Sequence, residues 1–148
     1  MKFFARQFPL FLTLLAAAAA ATTEISTDKP IINFRSSTFT AEGFRSWLIR
    51  GSEAQVLPAK NQITIKELTL SVFPGKADNE KVETMILSPT AEVHTADSIV
   101  TGPDTIRVIN DQFEATGTAW TYFHKEKRVS IACNVRVTFR AELKDFLK

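Results

Sequence analysis

The amino-acid sequence predicts an all-β domain, either a sandwich or a roll, in which one layer of side chains fills the interior. Three observations predict this class. Short stretches of alternating apolar and polar residues recur between residues 30 and 139. Glycine, proline and charged residues separate these stretches, as is typical of turns between strands. No helical pattern lies between them, so a parallel sheet with crossover helices is not expected.

The first half of the chain contains three predicted extended segments. The segment "PIINFRSSTFTAEG" is short and extended in character. The segment "FRSWLIR" is a strand or one turn of helix, and Gly51 argues against a longer helix. In "NQITIKELTLSVF" the apolar residues change face by one position, which predicts a β-bulge near Lys66 and Glu67. A loop is expected from Pro74 to Glu80 because of its proline, glycine and charges.

The second half repeats this pattern in shorter pieces. Alternation predicts strands in "KVETMILS", "AEVHTADSIV", "TIRVI", "DQFEATG" and "AWTYF". Turns are expected at Thr101–Asp104 and, as a charged hairpin tip, at His124–Arg128. The last predicted strand, Val129–Phe139, has the most regular alternation. The closing "AELKDFLK" has apolar residues at helical spacing and predicts one or two turns of helix.

The start of the chain has the three parts of a secretory signal. Lys2 and Arg6 are followed by an apolar run from Phe8 to Ala21 that ends in small residues. Residues 1–21 are therefore expected to be a signal peptide, or a short membrane anchor, and residues 22–148 a single domain. The run is short for a transmembrane helix, which needs about 20 apolar residues. The sequence thus predicts a periplasmic location.

Charge argues against nucleic acid as a partner. The chain has 18 basic and 16 acidic residues, and removal of Lys2 and Arg6 leaves 18 − 2 = 16 basic residues against 16 acidic ones. A formally neutral domain has no excess of basic residues with which to bind phosphates.

Candidate reactive groups are few. Cys133 is the only cysteine, so no internal disulfide can form, and its place on the alternating face of the last strand predicts a buried apolar side chain. His94 is expected to face outward and His124 to lie in the charged tip. Neither histidine has ligands at metal spacing, and no nucleophile elbow, phosphate loop or dinucleotide motif is present. The sequence predicts no catalytic residue, no metal and no cofactor.

The apolar residues are therefore the main candidates for function. Core filling explains each one singly, but together they also suit a roll that opens along one side and holds acyl chains, since every buried methylene contributes about 0.8 kcal/mol. The predicted lining residues share an inward place in the strand alternation: Trp47, Ile65, Leu70, Ile86, Val108, Phe113, Trp120, Ile131 and Val135.

Three segments carry a resemblance to a known family. These are "SWLIRGSEA" (Ser46 to Ala54), "MILSPTAEV" (Met85 to Val93) and the stretch from Ile106 to Phe139, in which a Val-x-Val strand, a glycine-aromatic strand, a charged turn and an alternating strand follow one another. Their pattern resembles the periplasmic lipopolysaccharide-transport bridge proteins, the OstA-like family, over roughly Phe34 to Phe139. The nearest resemblance is to the C component, although that component normally keeps a membrane anchor and the soluble A component has a cleaved signal.

The resemblance implies a twisted, open antiparallel β-jellyroll that is not an enzyme. It implies lipopolysaccharide acyl chains as the ligand inside the roll. It also implies that other bridge components, and the inner-membrane transporter complex, are partners that dock edge to edge. An open roll leaves unpaired backbone groups on its outer strands, which recruit further strands. The predicted docking edges are the early segment containing Phe34 and Phe39 and the last strand with Val129, Cys133 and Val137.

Two other functions stay open at this stage. One is a secreted lipocalin-like carrier, in which a closed barrel holds a small lipid. The other is a structural envelope domain with a filled core and no ligand.

Overall fold

The computed structural model describes residues 29–77 and 80–140, and these form seven antiparallel strands with almost no helix. The strands are β1 Ile31–Phe39, β2 Arg45–Leu57, β3 Gln62–Val72, β4 Thr84–His94, β5 Ile99–Asn110, β6 Phe113–Phe123 and β7 Arg128–Phe139. A single 3₁₀ turn, Pro58–Lys60, connects β2 to β3. The predicted signal segment and the predicted C-terminal helical turns lie outside the described residues.

All seven strands belong to one sheet, and the strand order follows the chain order from β1 to β7. Each strand pairs with its sequence neighbours, while β1 and β7 pair on one side only. The all-β prediction is confirmed. Of the two predicted architectures, the sandwich and the roll, the chain adopts the roll, because a single open sheet has no second sheet to pack against.

The sheet rolls because every strand changes direction at the same level. Four strand residues have left-handed backbone conformations, namely Asn33, Glu67, Ala119 and Asn134, with φ between 52° and 54°. The pairing places them in one row across the sheet, together with Gly51–Ser52 in β2, Pro89 in β4 and Pro103–Asp104 in β5. We call this row the bend line. Left-handed residues, glycine and proline interrupt regular pleating, so a row of them lets the sheet coil.

Several predicted strand ends are wrong, because the strands continue through the bend line. The expected turn at Thr101–Asp104 lies inside the continuous strand β5, and the separate segments "DQFEATG" and "AWTYF" form the single strand β6. "FRSWLIR" is likewise part of β2, which continues through Gly51 to Leu57. Glycine and proline marked true positions of irregular backbone, but they bend long strands here instead of ending them.

The predicted irregularity at Lys66 and Glu67 is present as a backbone distortion. Glu67 has a φ of 52°, and Lys66 and Glu67 are both exposed while Ile65 and Leu68 on either side are buried. The register with β4 is unchanged across the distortion, however, since Lys66 pairs with Thr90 and Leu68 with Ser88. The buried side chains of β3 therefore change position in the alternation although β3 has no extra residue relative to β4. This is possible because β4 is irregular at the same level.

The core lies inside the roll and draws on strands β2 to β6. Ile65, Leu70, Ile86 and Val100 have no measurable exposure, and full burial of such side chains contributes roughly 1.5 to 3 kcal/mol each. Trp47 of β2 lies 6.3 Å from Tyr122 of β6, measured between ring centroids. Since these two strands are four positions apart in the sheet, this contact crosses the interior of the roll.

The predicted burial of Cys133 is wrong. Its side chain is exposed, and the strand register shifts beside it, between the pairs that involve Thr116 and Thr118. The left-handed residue Asn134 lies at this shift. Because an exposed substitution rarely changes stability by more than about 0.5 kcal/mol, Cys133→Ala should have almost no effect on unfolding, whereas a buried cysteine would have cost on the order of 1 kcal/mol.

Candidate functional site

A cavity of about 500 Å³, with apolar side chains in the majority of its lining residues and four polar or charged ones among them, lies beside β7. We call it the β7 cavity. Its walls come from β5, β6 and β7 and from the chain that enters β4, and they include Val108, Phe113, Ala115, Val129, Ile131, Val135 and Val137, with Glu83, Thr84, Asn110 and Lys127 as polar lining residues. Its volume lies within the range of about 300 to 1,000 Å³ that is typical of small-molecule sites.

The cavity opens to solvent along β7. Val135 is 54% exposed and Val137 is 45% exposed, although both line the cavity. Phe139 follows at 66% and packs edge-on against Phe113, with ring centroids 6.4 Å apart. The result is an apolar row that continues from the cavity onto the surface.

The structure divides the nine predicted lining residues into two groups. Val108, Phe113, Ile131 and Val135 line the β7 cavity. The other five are buried in the closed core, at 6% exposure or less, and do not line the cavity: Trp47, Ile65, Leu70, Ile86 and Trp120. Strand alternation marked the buried residues of β2 to β6, but it did not separate the packed part of the interior from the exposed part along β7.

The predicted docking residues lie on the two outer strands of the sheet. Phe39 on β1 is 56% exposed, while Phe34 is partly buried and packs against the core. On β7, Val129 is half-buried, and Cys133 and Val137 are exposed. No residue of β7 is fully buried, so its outward backbone edge and one apolar face are both accessible.

A polar and aromatic cluster lies where the turn between β6 and β7 meets the start of β2. His124 Nε2 lies 2.6 Å from Ser46 Oγ, and His124 Nδ1 lies 3.1 Å from the Tyr122 hydroxyl. The imidazole ring stacks on the indole of Trp47, with centroids 4.2 Å apart and planes inclined by 20°. Both ring nitrogens therefore have hydroxyl partners, and one ring face is covered.

Burial alters the titration of this cluster. Half-burial, and next the positive charge of Lys127, lower the pKa of His124. Burial, and next the carboxylate of Glu83, raise the pKa of Tyr122. At neutral pH both groups are thus uncharged, which suits their position at the edge of the core.

Chemically, the Ser46 and His124 pair meets the distance condition for a nucleophile and its base. The group that orients the imidazole is a neutral phenol rather than a carboxylate, and Ser46 does not line the β7 cavity. We interpret the pair as a structural contact between distant strands. Among residues 29–77 and 80–140, no group of three His, Cys, Asp or Glu side chains is placed to hold a metal ion.

A second, wider depression follows the bend line across strands β3 to β7. It measures about 900 Å³ and has a mostly apolar lining, to which Leu68, Leu87, Pro89 and Ile106 contribute. Polar residues also line it, among them Thr69, Thr105, Thr116, Thr118 and Arg107. Arg107 is already paired with Glu114 on β6. The depression is a consequence of the bends, and its residues converge on no single polar point.

Sequence reasoning missed the role of His124. The residue was placed correctly in the turn before β7, but its contact with Trp47 joins residues far apart in the chain. A glycine precedes a tryptophan by a few residues twice, in Gly43–Trp47 and Gly117–Trp120. This repeated order indicates that both tryptophans are of interest, but it does not predict which residue covers each indole.

No protein-family model matches the chain, and no curated protein matches it significantly. What the fold and the site define is a class: a single antiparallel sheet, rolled and unclosed, with a cavity at one edge. The described part of the chain contains no helix that is long and apolar enough to cross a membrane.

Proposed function

We propose that this protein is a non-enzymatic periplasmic bridge component, which binds acyl chains of lipopolysaccharide in its rolled sheet and passes them from an inner-membrane transporter towards the outer membrane. The observation that carries the proposal is the β7 cavity, which has mostly apolar lining residues and opens along an unpaired edge strand. The resemblance of the strand pattern to the OstA-like family agrees with it.

The cavity suits an acyl chain for a physical reason. An acyl chain needs apolar area and no hydrogen-bond partners, and the valine, isoleucine and phenylalanine side chains of the lining provide that area. Because Val135 and Val137 are only partly covered, a chain can enter from the side without the sheet having to open. A side entrance also allows release to a neighbouring protein.

Docking to other bridge components would use the same edge. β7 has 12 residues and contains no proline, and one row of its backbone N–H and C=O groups has no partner strand in the sheet. A partner strand added there would extend the sheet and continue the apolar row formed by Val135, Val137 and Phe139.

The open edges bear on the lipocalin-like alternative. A closed barrel requires its first and last strands to pair, and here β1 and β7 are the two ends of the sheet. The core is filled, as a structural domain without a ligand also requires, and the β7 cavity of about 500 Å³ lies beside that core at the open edge. The unpaired edges and the cavity beside them support an open lipid-binding roll.

Site-specific photo-crosslinking tests the proposal. A photoreactive amino acid at Val135 or Val137 should capture lipopolysaccharide, because both side chains line the cavity. Arg136, between them on the same strand, is the matched control, and Leu70 in the closed core is a second control. Equal capture at Arg136 and Val135, or capture at neither cavity position, would contradict the proposal.

A further inference from the structure

Side-chain contacts connect parts of the roll that backbone hydrogen bonds between strands do not join. Within the described part of the chain, the side-chain hydrogen bonds that join strands not adjacent in the sheet come from His124 and Lys127, both in the turn between β6 and β7. Lys127 Nζ lies 3.3 Å from the carbonyl oxygen of Phe73 and 3.2 Å from Glu83 Oε2. With the stack of His124 on Trp47, this turn connects the β6 end of the sheet to β2, β3 and β4.

We propose that this turn is an acid-released clasp: protonation of His124 frees it from Ser46 and Trp47, and its release widens the β7 cavity. The inference rests on the proposed function only for the identity of the ligand. The clasp itself is defined by its contacts.

The surroundings of His124 determine the direction of the switch. Both hydroxyl partners can accept a hydrogen bond, so protonation need not remove one. Half-burial and the Lys127 ammonium oppose the added charge, and these factors lower the pKa of His124. Glu83 pairs with this ammonium and thereby weakens its effect, so burial of the imidazole is the larger of the two causes. Contact with the indole of Trp47 favours a cation, but it does not reverse the direction.

In the released turn, His124 is solvated and regains an ordinary pKa near 6.5. The imidazole therefore binds a proton more tightly in the open form than in the closed form. As the pH falls below about 6.5, the ratio of the open form to the closed form rises. Across the whole titration this ratio rises by the factor by which the open form binds the proton more tightly, so a tenfold difference in proton affinity gives a tenfold rise.

The clasp and the cavity share residues, which is why release should change access. Lys127 and Val129 form part of the cavity wall. A smaller space of about 80 Å³ adjoins the same residues and is bounded also by Val72 and Tyr122. Movement of the turn would join the two spaces and enlarge the apolar surface available to a ligand.

Two measurements on the chain without its leader test the clasp. The first is intrinsic tryptophan fluorescence from about pH 8 to about pH 5.5, because an imidazolium stacked on Trp47 differs from a neutral imidazole as a quencher. The second is binding of the uncharged probe N-phenyl-1-naphthylamine over the same range. We expect a fluorescence transition with a midpoint below about 6.5, and a parallel rise in probe affinity.

The two histidines of the chain provide matched variants. His124→Gln keeps hydrogen-bonding capacity but cannot be protonated, so both pH responses should disappear. His94→Gln should leave both responses intact. A response that survives in His124→Gln, or a fluorescence transition without any change in probe affinity, would overturn the inference. If the probe responds as expected but no lipopolysaccharide is captured at Val135, the clasp stands and the proposed ligand is wrong.

Discussion

At the scale of single residues, close packing around Trp120 shows how little freedom the core allows. The indole is 2% exposed, and its Nε1 has no hydrogen-bond partner among the described residues. It lies against the backbone of Gly102, where an added Cβ would come within 2.6 Å of Nε1 and 2.7 Å of Cε2. Glycine is required at this position for space rather than for an unusual backbone angle.

Gly102→Ala should therefore destabilise the protein by about 1 to 3 kcal/mol, the usual cost of overpacking a core. Chemical denaturation of the variant measures this cost. Trp120→Phe removes the part of the ring that would collide, so the alanine should cost less in that background than in the native chain. Equal costs in both backgrounds would show that the collision with Trp120 is not the cause.

At the scale of elements, the outer strand β7 differs from the central strands of the sheet. Its residues are all exposed or half-buried, whereas β3 to β6 each contribute several fully buried side chains. Val135 lies in the register shift between Cys133 and Arg136, and it has no direct partner in β6. A backbone change at Val135 should thus affect the outer edge of the sheet more than the sheet itself.

Val135→Pro tests this distinction. Proline removes one backbone donor and obstructs an added strand, so the variant should fold with a modest loss of stability and should fail to bind the bridge component that we propose as a partner. Circular dichroism and a pull-down with that component measure the two effects. Val108→Pro, in the central strand β5, is the contrasting variant and should not fold. If Val135→Pro folds and still binds, docking occurs elsewhere, and β1 becomes the candidate edge.

At the scale of the whole molecule, the chain after the predicted signal segment is formally neutral, with 18 − 2 = 16 basic against 16 acidic residues. Net charge therefore contributes little to the pH dependence of stability, and individual groups determine it. Among the groups with a shifted pKa, His124 is the one whose ordinary pKa lies nearest to neutral pH, and burial and the Lys127 ammonium lower it. It connects two distant parts of the sheet, so its protonation affects the closed roll as a unit.

The free energy of unfolding should decrease as the pH falls below about 6.5. The folded-state pKa of His124 is lower than its unfolded value, so the unfolded chain takes up the proton first. The stabilisation is complete above the unfolded pKa and is lost as the pH falls through the folded pKa. Urea unfolding at several pH values from about 8 to about 5.5 measures the slope. His124→Gln should flatten it, whereas an unchanged slope in that variant would exclude His124 as its source.

The fold was predictable to the extent that it depends on alternation. Leu68, Leu70 and Val72 repeat at the two-residue spacing of a half-buried strand, and all three are buried. The boundaries were less predictable, because glycine and proline at positions such as Gly51 and Pro103 serve equally to end a strand or to bend one. The cavity was half predictable, since Val135 and Leu70 have the same sequence pattern but differ in what covers them.

By itself, the sequence determined the all-β class, the buried face of the central strands and the most regular strand, Val129–Phe139. The tertiary structure decided that the strands run continuously through a common bend line, that Cys133 is exposed, and that His124 lies on Trp47. The physical reason is the separation in sequence between the residues that interact. Alternation records which side of its own strand a residue faces, whereas cover, bending and cross-roll contacts depend on strands distant in the chain, which meet only when the sheet rolls.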